Sequence, residues 1–310
     1  MVLPLVQKIR RAHGRFTERI SQRMIISGGR IRFLDVNLNF PEEVAVLYST
    51  PLFWEGPEAY ELATSRTIAQ LAGRSQVFFD IGSNMGLYAV YVGLTCRQTM
   101  TYAFEPVPDI WRKNCAFHQA NQLPVKNVFQ LALSDRDGAQ KIFIPVFAGA
   151  AEVEQTATLR ADSWQANHEK VETVEIQCVT LDAFAANHPV PKGFCALKID
   201  VENFEAAVLR GGRTFIQERR PWMVCEILPR DGYDVATKTL HNDNAETIKQ
   251  LAELNYAAFA VLKEGYFRFS GADFARPREF KDFLLIPAEK LAGEVQYLSF
   301  TSLAELLSTI

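Results

Sequence analysis

The chain has 310 residues, 48% of them hydrophobic and 22% charged, which is enough apolar material for one large core with or without a small appendage. This composition excludes intrinsic disorder, collagen and coiled coil as descriptions of the whole chain, and charges interrupt every apolar stretch before the ~20 residues that a membrane-spanning helix needs. The net charge of −3 lacks the basic excess of a nucleic-acid-binding protein, so we expect a soluble protein without a nucleic-acid partner.

Cysteine usage indicates a reducing compartment. The five cysteines are odd in number and widely spaced, without a CxxC pair or a histidine at metal-ligand spacing: Cys96, Cys115, Cys178, Cys195 and Cys225. This pattern predicts free thiols and no metal site. Because the N-terminus also lacks the compact apolar segment of a secretory signal, we expect a cytoplasmic protein.

The first 32 residues carry eight basic side chains and one acidic one, Glu18. Apolar residues recur at helical spacing between Val2 and Met24, which predicts a basic amphipathic helix that is weakened at Gly14. Such a helix could pack on its own domain, lie on an anionic membrane surface, dock on a partner enzyme, or act as an arginine-rich transit peptide. We assign residues 1–75 to this helix and a cap segment.

From about residue 76, short apolar runs that end in acidic or glycine residues alternate with helical patterns, which is typical of βαβ units. The predicted strands are Val77–Ile81, Met100–Phe104, Asn127–Leu133, Phe194–Ile199, Met223–Ile227, Tyr256–Leu262 and Phe283–Ile286. The predicted helices lie near residues 86–95, 108–121 and 203–218, the last with a break at Gly211-Gly212. We therefore expect a doubly wound, mostly parallel α/β sheet of seven strands with helices on both faces over residues 76–290, and a helical tail over 291–310.

The segment 139–180 interrupts this alternation. It contains two predicted antiparallel strands, Lys141–Phe147 and Val171–Val179, joined by the polar loop Gly149–Lys170. Long connections on a doubly wound sheet commonly extend over its ligand-binding edge. The segment is therefore a candidate substrate cap.

A glycine-containing turn follows the first predicted strand, in the sequence Asp80-Ile81-Gly82-Ser83-Asn84-Met85-Gly86. We expect its backbone N–H groups to approach a ligand closely, which would explain why Gly82 and Gly86 lack side chains. The dinucleotide pattern G-x-G-x-x-G fails at two of its three positions, and the phosphate-binding pattern G-x-x-x-x-G-K-[ST] is absent. The remaining pattern, D-x-G-x-N-x-G, is a variant of the loop of class I S-adenosylmethionine-dependent methyltransferases.

Acidic and polar residues also end the next two strands. Glu105 follows the second strand, 23 residues after Gly82, where its carboxylate could accept hydrogen bonds from both hydroxyls of a ribose. Ser134 and Asp135 end the third strand, where they would reach an adenine or simply form a turn before Gly138.

Ionisable residues occur on the fourth and fifth strands. Lys198, Asp200 and Glu202 alternate along the chain and so project to one face, and Glu226 interrupts an apolar run. Such groups are costly inside a sheet unless they are paired or face a solvated cleft. They could form a structural ion-pair network or supply a general base, and Asp200 with Glu202 could contribute to a Mg²⁺ site.

Six segments in register resemble the FkbM family of methyltransferases over residues 55 to 290: "FFDIGSNMGLYAV", "YAFEPVPDIWRKN", "LALSD", "VTLDAF", "LKIDVENFEAAVLRGG" and "PWMVCEI". The resemblance implies a class I, Rossmann-like methyltransferase fold, S-adenosylmethionine as cofactor, and O-methylation of sugars, glycans or natural products. It further implies that the cofactor site is lined by Asp80, Gly82, Ser83, Asn84, Gly86, Glu105 and Pro106, with Ser134 and Asp135 beside the adenine. One departure is Asn203, which stands where the family usually has glycine. Asparagine tolerates a positive φ, so the turn could survive, or its side chain could narrow the acceptor pocket.

Methyl transfer to a hydroxyl requires alignment and removal of the hydroxyl proton. Asp200 is the first candidate for the base, and Lys198, Glu202 and Glu226 are the alternates. Two other functions stay open: a non-catalytic module of the same fold that docks a glycan-assembly partner through residues 1–32, and a nicotinamide-dependent oxidoreductase. The sequence is compatible with a monomer or a homo-oligomer.

Overall fold

The structure, a computed structural model, describes residues 29–44, 52, 56, 60–146, 157–159, 161, 166, 170–228, 243–270 and 280–309. The chain divides into two compact units, Met1–Tyr60 and Glu61–Ile310. The helix predicted between Val2 and Met24 and most of the predicted loop Gly149–Lys170 lie outside the described residues. Within the described ranges, no helix is both long enough and apolar enough to cross a membrane.

The first unit contains a β-hairpin, in which β1 (Gly29–Phe33) pairs with antiparallel β2 (Val36–Phe40). Apolar and polar residues alternate along both strands, and the apolar side chains are buried: Ile31, Phe33, Leu38 and Phe40. This hairpin is not predicted from the sequence, where residues up to Arg32 are counted with the basic helix. Arg30 and Arg32 instead lie on the exposed face of β1.

The second unit contains twelve strands among its described residues. Their bounds are β3 (Val77–Ile81), β4 (Met100–Phe104), β5 (Val128–Phe129), β6 (Ala132–Leu133), β7 (Gly138–Pro145), β8 (Val171–Val179), β9 (Cys195–Ile199), β10 (Trp222–Glu226), β11 (Tyr256–Leu262), β12 (Gly265–Phe269), β13 (Asp282–Pro287) and β14 (Tyr297–Leu298).

Helices connect most of these strands. They are α1 (Leu62–Ala72), α2 (Leu87–Thr95), α3 (Pro108–Ala120), α4 (Leu181–Asn187), α5 (Glu205–Gly211), α6 (Arg213–Arg219), α7 (Asp243–Glu253) and α8 (Phe300–Leu307), with 3₁₀ turns at Val125–Asn127 and Ala288–Lys290. The predicted break in the third helix is confirmed, because α5 and α6 meet at Gly212.

A nine-stranded sheet runs in the order β14-β12-β11-β13-β10-β9-β3-β4-β5. The five strands from β10 to β5 are parallel neighbours, and antiparallel pairings add the other four. The chain leaves β3 for β4 and β5, then returns to β9 on the other side of β3. Sheets with this topology bind ligands at the carboxyl ends of the strands where the direction reverses, here β3 and β9.

The predicted doubly wound, mostly parallel α/β sheet is confirmed, and four strands, β3, β4, β8 and β11, have the predicted bounds. The strand count is not confirmed. The sheet has nine strands instead of seven, because β12 forms a hairpin with β11 and then pairs with β14. All five residues of β3 are buried, as expected for a central strand that is covered on both faces.

A separate three-stranded sheet in the order β6-β8-β7 contains the predicted antiparallel pair, β7 and β8. Its third strand comes from the predicted strand Asn127–Leu133, which is divided in the structure. β5 pairs with β4 in the large sheet, whereas β6 pairs with β8. Apart from the polar, exposed Gln130 at its middle, the predicted strand gives no sign of this division, because apolar residues stand on both sides of Gln130.

Candidate active site

The turn between β3 and α2 lies where the strand order reverses. Its backbone is left-handed at Gly82, Asn84 and Gly86, with φ values of 72°, 51° and 91°. A Cβ at Gly82 would lie 1.8 Å from the carbonyl oxygen of Asp200, and one at Gly86 would lie 2.3 Å from Asn114 Oδ1. The absent side chains thus let the turn pack against other parts of the protein, which corrects the expectation that the approach of a ligand explains both glycines.

Two buried carboxyl groups hold this turn. Asp80 is fully buried, and its Oδ2 accepts a hydrogen bond from Ala89 N–H at 3.0 Å. Glu105 is 6% exposed and accepts hydrogen bonds from the N–H groups of Asn84 at 3.1 Å and Val107 at 2.9 Å. Burial raises the pKa of Asp80 to about 6 and the pKa of Glu105 to about 7.

Glu105 therefore lies at the end of β4, as the sequence predicts, with one protein N–H group on each carboxylate oxygen. An ionised carboxylate oxygen has a second lone pair that a ligand hydroxyl could use. Pro106 is half-buried between Glu105 and Val107 and offers no N–H group of its own. Ser83 is buried, and its Oγ accepts a hydrogen bond from Asn114 Nδ2 at 2.9 Å.

The two residues predicted to lie beside an adenine have partners within the protein. Ser134 is buried, and its Oγ accepts a hydrogen bond from Gln140 Nε2 at 3.1 Å. Asp135 Oδ2 accepts hydrogen bonds from Arg210 of α5, at 2.8 Å from one guanidinium nitrogen and 3.2 Å from another. Their predicted contact with an adenine stays a prediction.

Lys198 links β9 to the turn. Its Nζ donates a hydrogen bond to the Gly82 carbonyl at 2.9 Å, and it lies 3.2 Å from Asp200 Oδ2 and 3.8 Å from Asp80 Oδ1. The side chain of Lys198 is 8% exposed and that of Asp200 is 31% exposed. Asp200 is thus the member of this group that solvent, or a substrate, can reach most easily.

Glu202 and Glu226 complete an acidic cluster with Asp200. One carboxylate oxygen from each residue lies within 4.8 Å of the other two, so the cluster could hold a divalent cation, for which oxygen ligands are suited. The chain turns sharply beside the cluster, with φ values of 54° at Glu202 and 69° at Asn203. Asparagine thus takes the positive φ at the position where the family usually has glycine.

Burial and neighbouring charges shift the pKa values of these groups in different directions. Burial opposes the charged form of Lys198, but Asp200 and Asp80 outweigh it and raise the pKa of Lys198 above its ordinary value. Burial likewise acts to raise the pKa of Asp200, yet Lys198 and Lys281 hold that pKa below its usual range. Lys198 is therefore a cation and Asp200 a carboxylate at neutral pH.

The other two carboxyl groups bind protons more strongly. Burial, followed by the charge of Asp200, raises the pKa of Glu202 to about 8 and raises the pKa of Glu226 well above its ordinary value. Both residues therefore hold a proton more readily than Asp200, which is the ionised carboxylate at the accessible edge of the cluster.

Sequence reasoning missed the residue that neutralises part of this cluster. Lys281 contacts Glu226 Oε1 and lies 3.6 Å from Glu61 Oε1. Glu61 in turn accepts a hydrogen bond from Tyr88 OH at 2.9 Å. Because β13 is antiparallel to β10, the residue before β13 lies beside the carboxyl end of β10, and the adjacent pair Lys281-Asp282 at the start of an apolar run was the available signal.

A cavity of about 720 Å³ lies elsewhere, between α4 and α6. Asp182, His188, Lys192 and Arg219 are among its lining residues. None of the predicted site residues, all of which the structure describes, lines this cavity. The candidate active site is therefore the edge formed by β3, β4, β9 and β10.

Comparisons with known proteins identify a family and several similar structures. The model of the methyltransferase FkbM domain matches residues 80–258. A methyltransferase FkbM from Methylobacillus flagellatus KT is similar in structure, with a TM-score of 0.38 and 11% identity over 88% of this chain, and this chain spans 58% of that protein.

Two further solved structures are similar at comparable levels. Cofactor-bound Rv0187 from MTB has a TM-score of 0.37 and 12% identity, covering 72% of this chain and 79% of its own. A precorrin-6y C5,15-methyltransferase from Geobacter metallireducens GS-15 has a TM-score of 0.34 and 10% identity, covering 73% of this chain and 86% of its own. The search of curated proteins gave no match. Because the family model covers more than half of the chain, the protein belongs to the FkbM family of methyltransferases.

Proposed function

We propose that the protein is an S-adenosylmethionine-dependent O-methyltransferase whose acceptor is a hydroxyl group of a sugar, glycan or natural product. The observation that carries the proposal is the position of Asp200. The Asp200 side chain is 31% exposed, and its carboxylate lies 3.2 Å from Lys198 Nζ. The backbone carbonyl of Asp200 packs against the turn at Gly82. A base beside a cofactor loop is what methylation of a hydroxyl requires.

The residues at the turn have the chemistry to bind this cofactor. Glu105 offers carboxylate lone pairs at the end of β4, where a ribose diol needs acceptors. Bound S-adenosylmethionine supplies a methyl group on a positively charged sulfur that is its own leaving group.

The remaining work falls to residues of this chain. Asp200 accepts the proton of the acceptor hydroxyl, and Lys198 holds the Asp200 carboxylate and the Gly82 carbonyl in place through its Nζ atom. Glu202 is the alternate base, because its pKa of about 8 lies near the pH of the reaction. Lys198 is a cation, and Glu226 is 3% exposed and paired with Lys281, so both serve the electrostatics of the site instead of proton removal.

We also propose that the protein is cytoplasmic, that its main partner is the hydroxyl acceptor, and that it does not bind nucleic acid. All five cysteines have free thiols, which supports a reducing compartment. The proposed contact of residues 1–32 with a membrane surface or a partner enzyme concerns residues that lie largely outside the described ranges.

The test is calorimetric titration with S-adenosylmethionine, S-adenosylhomocysteine and NADH. We expect saturable binding of the two sulfur ligands and none of NADH. Glu105→Ala is expected to weaken binding by about 1.5–3 kcal/mol, because it removes a charged acceptor of ribose hydroxyls. Unchanged affinity in this variant would exclude Glu105 as the ribose ligand.

The remaining outcomes separate the rival functions. Binding of NADH alone would favour an oxidoreductase. Binding of none of the three ligands would favour a non-catalytic module that keeps the fold. If the sulfur ligands bind, a screen of sugars and glycans for transfer of a labelled methyl group identifies the acceptor.

A further inference from the structure

Asn114 is a fully buried polar residue on the face of α3 that packs against the glycine turn. Its Nδ2 donates hydrogen bonds to Ser83 Oγ at 2.9 Å and to the Asn84 carbonyl oxygen at 2.8 Å. One amide group thus holds two consecutive residues of the turn. It does so from a helix that lies about thirty residues further along the chain.

Other hydrogen bonds also restrain the turn: the N–H groups of Gly82 and Ser83 donate to the Phe104 carbonyl, and Lys198 Nζ donates to the Gly82 carbonyl. Asn114 acts further along the turn, at Ser83 Oγ and the Asn84 carbonyl. The Gly86 N–H group donates to the Ser83 carbonyl at 2.8 Å, and the Asn84 N–H group donates to Glu105. Asn84 takes a φ of 51°, which costs energy in any residue with a side chain. An external donor that binds the Asn84 carbonyl stabilises this conformation directly.

The oxygen of the Asn114 amide indicates that this residue does more than fill space in the core. Asn114 Oδ1 is buried and has no hydrogen-bond partner among the residues that the structure describes, and it lies where a Cβ on Gly86 would come within 2.3 Å. An unsatisfied buried oxygen lowers stability, so a position that served packing alone would favour an apolar side chain. The two donated hydrogen bonds are the compensating gain, and both of them go to the turn.

We propose that Asn114 is a positioning residue of the cofactor site: by binding Ser83 and Asn84 it holds the turn in the conformation that receives the methyl donor. The inference rests on the proposed function, because it assumes that this turn binds S-adenosylmethionine. The two groups that the Asn114 amide binds belong to the turn, so its proposed effect on the ligand passes through the turn.

The experiment compares Asn114→Ala with Asn121→Ala. Asn121 is a buried asparagine just after the same helix, and its Nδ2 donates to the Phe117 carbonyl at 2.9 Å, away from the turn. Both substitutions remove the same atoms, so both are expected to lower the melting temperature. Calorimetry with S-adenosylhomocysteine then separates binding from stability.

We expect Asn114→Ala to raise the dissociation constant for S-adenosylhomocysteine about tenfold or more, since two hydrogen bonds that order the turn are lost. Asn121→Ala is expected to change it by less than about twofold. Wild-type affinity in Asn114→Ala would overturn the proposal. So would an equal loss of affinity in Asn121→Ala, because the loss would then follow general destabilisation.

Hydrogen exchange in the ligand-free protein gives a second readout. The amides of Asn84 and Gly86 should exchange faster in Asn114→Ala and at the wild-type rate in Asn121→Ala. If the wild-type protein fails to bind S-adenosylhomocysteine, the proposed function is contradicted, and this readout still decides whether Asn114 orders the turn. Unchanged exchange in Asn114→Ala would contradict the inference even if the wild-type protein binds the ligand.

Discussion

Asp200 and Glu202 lie two residues apart, yet their surroundings shift their pKa values in opposite directions. Two lysines hold the pKa of Asp200 low against the effect of burial, whereas burial and the neighbouring charge of Asp200 raise the pKa of Glu202 to about 8. A site with one ionised and one protonated carboxyl group can assign separate roles to each of them. The pH dependence of methyl transfer therefore identifies the base.

If Asp200 is the base, the turnover number should vary little between about pH 6 and pH 8, because its carboxyl group is ionised throughout this range. Asp200→Asn should then lower turnover about 10²- to 10⁴-fold, while Glu202→Gln retains the flat profile. The measurement is the rate of methyl transfer at saturating acceptor against pH. A wild-type rate that rises through about pH 8, together with a comparable 10²- to 10⁴-fold loss of turnover in Glu202→Gln, would instead make Glu202 the base.

At the scale of elements, the sequence predicts the strands that supply the site better than the contacts within it. The acidic residues at the ends of β3 and β4 are found at the predicted edge. Lys281 escapes prediction because its position depends on the direction of β13, and an apolar run does not reveal strand direction. The division between β5 and β6 is not predicted for a related reason. An apolar residue is buried in either sheet, so its apolar character does not show which sheet it joins.

Asn114 escapes prediction for another reason. The helical pattern identifies α3 correctly, but a polar residue within an apolar face gives no information about its partner. Its target lies in a turn that packs against α3 and against Asp200 just after β9, and local sequence patterns do not reveal these contacts. The sequence thus predicts the secondary structure around the site, and tertiary packing determines the hydrogen bonds.

The inserted segment contacts the acidic cluster through Thr158. This residue is 1% exposed, bridges to Phe143 of β7, and donates a hydrogen bond from Oγ1 to the Glu202 carbonyl at 2.9 Å. Thr158→Val keeps the shape but leaves that carbonyl without this donor, so we expect the free energy of unfolding to fall by about 1–2 kcal/mol. Urea denaturation measures this change.

Thr173→Val is the matched control, because Thr173 pairs with Phe143 from the other side and is exposed. We expect it to change the free energy of unfolding by less than about 0.5 kcal/mol. Equal losses in the two variants would mean that the hydrogen bond to Glu202 contributes nothing of its own.

For the whole molecule, the buried carboxyl groups determine how stability depends on pH. Burial raises the pKa of Asp80 to about 6, of Glu105 to about 7 and of Glu202 to about 8. The folded protein therefore binds more protons than the unfolded chain between the ordinary carboxyl range and about pH 8. His118 has the opposite effect: burial lowers its pKa, so the folded protein binds fewer protons at this residue than the unfolded chain does.

Stability should accordingly fall as the pH rises from about 5 to about 8, since the protons that the folded carboxyl groups retain are lost over this range. Chemical denaturation at several pH values measures the slope. Glu202→Gln removes one of the titrating groups and should make the slope shallower. Constant or rising stability over the same range would contradict the raised pKa values.

The antiparallel direction of β13 also has a consequence for synthesis. The first half of the chain contains the turn at Gly82, the Asn114 side chain that binds it, and Glu105. Lys281, in contrast, comes some eighty residues after Asp200. A nascent chain on the ribosome therefore has the residues of the cofactor side long before the lysine that neutralises Glu226 is translated. Until β13 inserts beside β10, Glu226 lacks its lysine partner, so the edge that would receive the acceptor is completed only when the last part of the second unit has been made.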